Sequence, residues 1–337
     1  TSSSTVTGNL SVIDNSFVDC GYPVCYTAVA YSGASLDMNV SVVGNDFDSD
    51  YRGISGYSHA SSEGILNLNT VVGDNTITDC GGPMNFNLSA DYSAVVNRNI
   101  EITNNSIVGW PNGIDFDTEL YERPDYNETV LIEGNSIQGL SAGIYQSLDK
   151  SYTGGDIDRE WSILGNTIEG CSGKAVALYA EFSWESSTET DGYEYDLLVD
   201  GNTFRGNGGG LDVSHEVSYG TGESSFNYVI TRNNISNNAD GGIYLYVEAS
   251  TGDIDHSVVI RGNVLEGNDP GGGQIVMFAS DLMDTDGSYD LDFDMGHPNA
   301  FGYNTIVADG DNPSSWSVSF FQVVSGNSVV TADLNAV

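Results

Sequence analysis

An all-β solenoid of stacked parallel coils is the fold this sequence predicts. Three observations predict it. A unit of about 30 residues recurs along nearly the whole chain, each unit carries apolar rows with strand alternation, and each bends at an Asn and again at a Gly.

The unit is plainest from Leu131 to Tyr145. Its Asn returns as Asn15, Asn45, Asn75, Asn105, Asn135, Asn166, Asn202, Asn233, Asn263, Asn304 and Asn327. The first five are 30 residues apart; later intervals are 31, 36, 31, 30, 41 and 23. A fixed period with drifting insertions marks a stacked architecture.

The first strand of each coil leads into the Asn. Three residues before it stand Val12, Val42, Val72, Ile102, Ile132 and their equivalents, all apolar. Five before it the row is mostly apolar too, as at Leu10, Val40, Ile100, Val130 and Trp161. Apolar residues two apart, many of them β-branched, are the pattern of a strand with one buried face. A second apolar row follows two residues after the Asn, with Phe17, Phe47, Ile77, Ile107 and Ile137.

The Asn reads as a corner. Asn tolerates the left-handed backbone of a sharp bend, and a Gly precedes it at Gly44, Gly134, Gly165, Gly201, Gly262 and Gly326. Repeated in every coil, the side-chain amides would stack into a ladder. A second corner comes at Gly53-Ile54, Gly113-Ile114, Gly143-Ile144, Gly210-Leu211 and Gly242-Ile243, and a third strand starts there. The expectation is one elongated domain over residues 1–337, about eleven coils of three strands, with loop insertions on one side.

These hydrophobic-x-x-Asn-x-hydrophobic copies and trailing Gly-Ile pairs resemble the right-handed parallel β-helix family, in its pectin-lyase-like and NosD-like branches. The resemblance covers residues 10–330 and is specific for the fold. It implies little about activity, because that fold carries enzymes, adhesins, spikes and scaffolds. Lyases of the family imply a Lys or Arg base beside calcium carboxylates; Lys150 and Arg159, sharing one acidic segment, are the best candidates, although surface ion pairing explains them as well. The family's hydrolases imply a paired Asp-Asp, which this chain lacks, and Asp269-Pro270 leads to Gly271 rather than to the His of an epimerase.

Charge bounds the partners. The chain has 48 acidic and 9 basic residues, a net charge of −39, and its only lysines are Lys150 and Lys174. A nucleic-acid partner needs a basic footprint and is excluded. No apolar run approaches the ~18 residues of a membrane span. Acidic, lysine-poor composition fits a halophilic source or a protein that collects cations. With neither an initiator Met nor a signal peptide, the sequence is expected to be a mature form or part of a longer chain. Cys20, Cys80 and Cys171 fall on one row and read as buried thiols; only Cys20 and Cys25 lie close enough to pair.

The insertions are placed at 117–128, 146–160, 180–196, 214–226, 248–256 and 279–298, between the third strand and the next coil. Asp117, Glu119, Glu122 and Asp125 make one of them acidic, and Glu181, Glu185, Glu189, Asp191, Glu194 and Asp196 another. The richest segment offers Asp281, Asp284, Asp286, Asp290, Asp292 and Asp294 as candidate metal ligands, with calcium as the candidate cofactor. The pattern is incomplete: Leu282 stands where a first ligand belongs and Phe293 where a closing Glu belongs. Tyr145, Tyr179, Tyr244 and Tyr246 follow the second corner and are candidates to stack sugar rings. Sequons at Asn9, Asn39, Asn87, Asn104, Asn127 and Asn234 are candidate glycosylation sites.

The function expected is an extracellular or cell-surface, non-catalytic module, structural or adhesive, whose acidic loops bind cations or glycans. Open coil ends make neighbouring subunits expected partners. The alternative is a polysaccharide lyase or glycoside hydrolase acting on the loop-bearing side.

Overall fold

The computed structural model describes residues 4–48, 51–109, 112–151, 154–183, 192–218, 223–249, 253–268, 275–281, 288–294, 304–307, 318–324 and 329–335. Its strands form three parallel sheets, A, B and C, of eleven, ten and ten strands. Among the described residues ten coils thus carry all three strands and an eleventh shows its sheet A strand, slightly fewer than the expected eleven full coils.

One coil shows the plan. Asp125–Glu133 lies in sheet A, Ser136–Gln138 in sheet B and Ala142–Ser151 in sheet C. Alternate residues face in: Tyr126, Val130 and Ile132 from sheet A, Ile137 from sheet B, Ile144 and Leu148 from sheet C. All of these are at most 2 % exposed. The in-register row above and below each one belongs to the neighbouring coils, so the core is one continuous apolar column.

The repeat Asn ladder forms from Asn15 to Asn304. In each step the backbone N–H and the side-chain amide donate to the Oδ1 of the next Asn, at 2.8 to 3.2 Å. Asn327 lies outside the described residues. The bend itself differs from expectation. The left-handed residue is the one before the Asn: Asp14, Gly44, Asp74, Asn104, Gly134, Gly165, Gly201, Arg232 and Gly262 all have φ between 55° and 69°. The Asn keeps ordinary backbone and is selected for its amide. The Gly of the second corner serves close approach instead of positive φ. A Cβ on Gly143 would stand 2.4 Å from Ile168 Cγ2 and 2.5 Å from the Ala175 carbonyl oxygen.

The third corner corrects the placement of the insertions. Residues 117–121 and 125–128 belong to strands, and only Glu122, Arg123 and Pro124 lie between them. In the first four coils this corner is a two-residue left-handed turn, at Ser32-Gly33, Ser62-Glu63, Tyr92-Ser93 and Glu122-Arg123. In later coils the segment between the sheet C strand and the following sheet A strand ranges from three residues, 250–252, to nine, 184–192, so the insertions do fall on one side, but they are shorter than the sequence implied. Much of the acid assigned to loops stands on strands.

Candidate functional site

Sheet C places the candidate tyrosines and much of the acid on one outer face. In Ala142–Ser151 the residues Ile144, Gln146, Leu148 and Lys150 face the core, so Tyr145, Ser147, Asp149 and Ser151 face out. The same alternation turns Tyr179 and Glu181, then Asp212, Ser214 and Glu216, then Tyr244, Tyr246 and Glu248 outward. Parallel register then builds columns about 4.8 Å apart per coil.

One column is a run of five carboxylates: Glu119, Asp149, Glu181, Glu216 and Glu248. None of the five joins an ion pair among the described residues. Beside it lies a tyrosine patch. The Tyr145 and Tyr179 rings stand 5.8 Å apart at 60°. The Tyr179 hydroxyl donates to Asp212 Oδ2 at 3.3 Å, Tyr244 is 38 % exposed, and the Tyr246 hydroxyl donates to Glu248. Lys174 borders the patch, 2.7 Å from Asp240 Oδ2 and 3.7 Å from Asp212 Oδ2. Asp212 is only 8 % exposed, and its Oδ1 has no hydrogen-bond donor.

The environment shifts these groups in one direction. Burial pushes the Asp212 carboxyl up, and Lys174 and the Tyr179 hydroxyl offset only part of this. Burial also raises Asp115, and burial with the Asp149 charge raises Asp117. Burial and then the neighbouring Glu216 raise Glu248. The Tyr179 phenol rises well above its ordinary value through burial, the Asp212 charge and its bond to Asp212. The face therefore resists further negative charge.

The candidate bases are placed elsewhere. Lys150 and Arg159 face the core, 1 % and 0 % exposed, and Lys150 Nζ donates to the Gly155 carbonyl at 2.9 Å. Arg159 and Arg98 sandwich Glu128 from the two adjacent coils. Arg159 Nε and Nη2 lie 2.9 and 2.7 Å from Glu128 Oε2, Arg98 Nη1 lies 3.4 Å from Oε1, and Trp161 Nε1 donates at 2.8 Å. Burial raises the Glu128 carboxyl, but Arg159 and Arg98 together bring it below its ordinary value. Lys150 and Arg159 are both buried, and Arg159 makes its ion pair in the interior, not at the surface.

Of the candidate metal ligands, Asp284 and Asp286 lie outside the described residues. Asp281 ends a strand of sheet C, whereas Asp290, Asp292 and Asp294 lie on a strand of sheet A. Asp294 pairs with Arg261. Among the described residues no group of three His, Cys, Asp or Glu is arranged to hold a metal ion. Glu185, Glu189 and Asp191 also lie outside the described residues.

The sequons Asn9, Asn39, Asn104, Asn127 and Asn234 are exposed and Asn87 is half-buried. Asn39 donates to Asn9 at 3.1 Å and Asn127 to Asn97 at 3.0 Å, in amide ladders on the outside of sheet A. None of the four cysteines forms a disulfide, Cys20 and Cys25 included; Cys80 and Cys171 are buried, Cys20 is half-buried and Cys25 is exposed. Sheet A also bears an open, shallow depression of about 610 Å³ lined by Asp156, Asp158, Glu194, Glu223 and Asp255.

Two features escaped the sequence reading. A second buried ladder, Asn207 to Asn238 to Asn268, continues the row of Cys171 five residues after the repeat Asn. The signal was available as Asn at a constant offset. The second is a buried histidine pair. His215 Nδ1 and the Tyr228 hydroxyl stand 2.6 Å apart, and the Tyr228 ring lies 5.0 Å from that of His256. The two histidines come from different sheets, so no single row links them.

Comparison with known proteins adds one finding. Residues 125–283 match the family model described as a right handed beta helix region. No curated protein and no solved structure gives a significant match. Among the described residues no helix is long and apolar enough to cross a membrane. The match spans the coils that carry the tyrosine patch, and the same three-sheet plan continues on either side of it: the chain folds as a right-handed parallel β-helix.

Proposed function

We propose that this chain is a non-catalytic module of an extracellular or cell-surface assembly, structural or adhesive, that binds glycans or cations on its acidic faces. The observation that carries the reading is the outer face of sheet C, where Tyr145, Tyr179, Tyr244 and Tyr246 stand beside a carboxylate column. A half-exposed tyrosine offers an apolar ring to a sugar face and a hydroxyl to its rim. Stacked carboxylates without basic partners favour cations, calcium among them. Exposed sequons support export and glycosylation. Neighbouring subunits of that assembly belong to the same proposal as partners.

A polysaccharide lyase is the second reading, and Lys174 beside Tyr179 and Asp212 favours it. The electrostatics weigh against it. Lys174 is already engaged by two carboxylates, Asp240 and Asp212, and the Tyr179 phenol is shifted away from deprotonation. The phenol is therefore not set up to remove a proton near neutral pH.

The test is a glycan array run beside an assay for unsaturated uronate release. Binding lost in Tyr244→Ala, with no release from any polyuronate, is the expected result. Catalytic release that is lost in Lys174→Ala would overturn the non-catalytic reading.

A further inference from the structure

We propose that the outer face of sheet C selects a cationic glycan, a chain of amino sugars, over neutral and uronate polymers. The inference rests on the glycan-binding reading above and names the class of sugar.

Charge complementarity is the first argument. The column Glu119, Asp149, Glu181, Glu216 and Glu248 presents one carboxylate per coil, about 4.8 Å apart, over five consecutive coils. That rise is close to one pyranose ring of an extended chain. A uronate laid along it sets carboxylate against carboxylate. A chain with one ammonium per ring sets opposite charges at nearly the same interval.

The tyrosines supply the second argument. Tyr145 and Tyr179 pack against one another in the adjacent columns, and Tyr244 exposes its ring two coils further along. Tyr179 stands two residues from Glu181, in the column next to the carboxylates, so a ring stacked on it brings its substituents toward them, while Tyr244 stands four residues from Glu248 and holds the next ring of the chain across the face. Cations also gain from the faces of the aromatic rings.

Asp212 is the third and independent argument. It stands on this face between the Tyr179 hydroxyl and Tyr244, more than nine-tenths buried, with Oδ1 lacking any donor. A buried acceptor without a partner is costly. Lys174 and the Tyr179 hydroxyl serve Oδ2, and an amino group entering beside Tyr244 supplies the donor that Oδ1 lacks.

A basic peptide fits less well. Every interior strand of sheet C is paired on both sides, so no strand edge opens on this face for a peptide backbone to join. Recognition must come from ring faces and point charges, which a pyranose chain presents at every residue. The acidic depression of sheet A lacks the outward aromatic row and serves as the internal control.

The experiment uses the purified chain at a salt concentration where circular dichroism shows it folded. Calorimetry measures binding of a glucosamine hexamer, an N-acetylglucosamine hexamer, a galacturonate hexamer and oligolysine. The glucosamine hexamer is expected to bind tightest. Glu181→Gln with Glu216→Gln, and separately Tyr244→Ala, should each weaken it about tenfold, and Asp158→Asn with Glu194→Gln on sheet A by no more than about twofold. Tightest binding of the acetylated or uronate hexamer, lost in Tyr244→Ala, would overturn the cationic assignment and leave the glycan reading standing. Binding of none of the three glycans would overturn both. Oligolysine bound as tightly as the glucosamine hexamer, with Tyr244→Ala without effect, would reduce the face to an unspecific polyanion and also overturn the proposal.

Discussion

Asn135 is a polar residue that the fold requires in its interior. At 1 % exposure, its amide donates to the carbonyls of Ile102 and Glu133 and to Asn166 Oδ1, and its own Oδ1 accepts from the Asn105 backbone and side chain. Those groups sit at a bend where strand pairing lapses, so nothing else can satisfy them. Asn135→Leu should therefore cost on the order of 3 kcal/mol, the sum of several orphaned groups. Asn99→Ala removes an exposed rung, a 2.9 Å bond to Asn69, and should cost about 0.5 kcal/mol because water replaces it. Urea unfolding of the two variants measures the contrast, and glucosamine binding should be unchanged in both. The Asn row was legible from its interval alone. Its backbone was not, because Gly, Asp, Asn and Arg all occupy the true left-handed position, and that mixture hides the rule.

At the scale of the element, the strands of sheet A build a buried column that the apolar pattern concealed. Arg98, Glu128, Arg159, Tyr195, Phe226 and His256 stand in register, each seven residues before its repeat Asn. Seven is odd, like three and five, so strand parity already turned these residues inward. The charges argued for the surface, since a buried Arg is rare, and only the stacking of Glu128 between two guanidiniums makes it tolerable. Breaking the set is expected to be worse than replacing it. Glu128→Gln should destabilise by about 3 kcal/mol, while Arg98→Met, Glu128→Leu and Arg159→Met combined should recover most of that loss in denaturant unfolding. The far end of the column responds to acid. Burial lowers His256 from 6.5 to about 3, and burial, then Arg159 and His256, lower His215 as well. Below pH 6.5 the unfolded chain binds protons that the folded chain refuses, so stability falls at about 1.4 kcal/mol per pH unit for each histidine. His256→Phe extends the aromatic run of Tyr195 and Phe226, and its Tm should fall less between pH 7 and pH 5 than that of the wild type. Asp115, Asp117, Asp212 and Glu248, whose pKa values are raised, act in the opposite sense, adding stability as pH falls toward the carboxylate range. They are unchanged by the substitution, so the comparison isolates the histidine.

At the scale of the whole molecule, a net charge of −39 has to be carried by a scaffold whose coils are only one strand spacing apart. The sequence announced the excess and the tyrosines but not their meeting place, because the acid seemed to belong to loops. Register supplies what composition lacks: residues 30 to 36 apart become neighbours, and five of them align as Glu119, Asp149, Glu181, Glu216 and Glu248. Each adjacent pair repels by up to about 1 kcal/mol in water at that spacing, before the side chains splay apart. Glu181→Gln with Glu216→Gln removes both charges from the middle of the run. The double variant should melt higher than the wild type at low salt, by a few degrees. Screening sets how the gain changes: the Debye length is about 10 Å at 0.1 M salt and about 3 Å at 1 M, on either side of the rung spacing. The advantage should therefore shrink toward zero at 1 M sodium chloride, and calcium should remove it at far lower concentration if the ion bridges neighbouring rungs. Thermal unfolding across both titrations separates the cases. A gain that persists undiminished at 1 M would mean that the glutamates strain the sheet through packing rather than charge, and would leave the column without the field that draws a cationic partner.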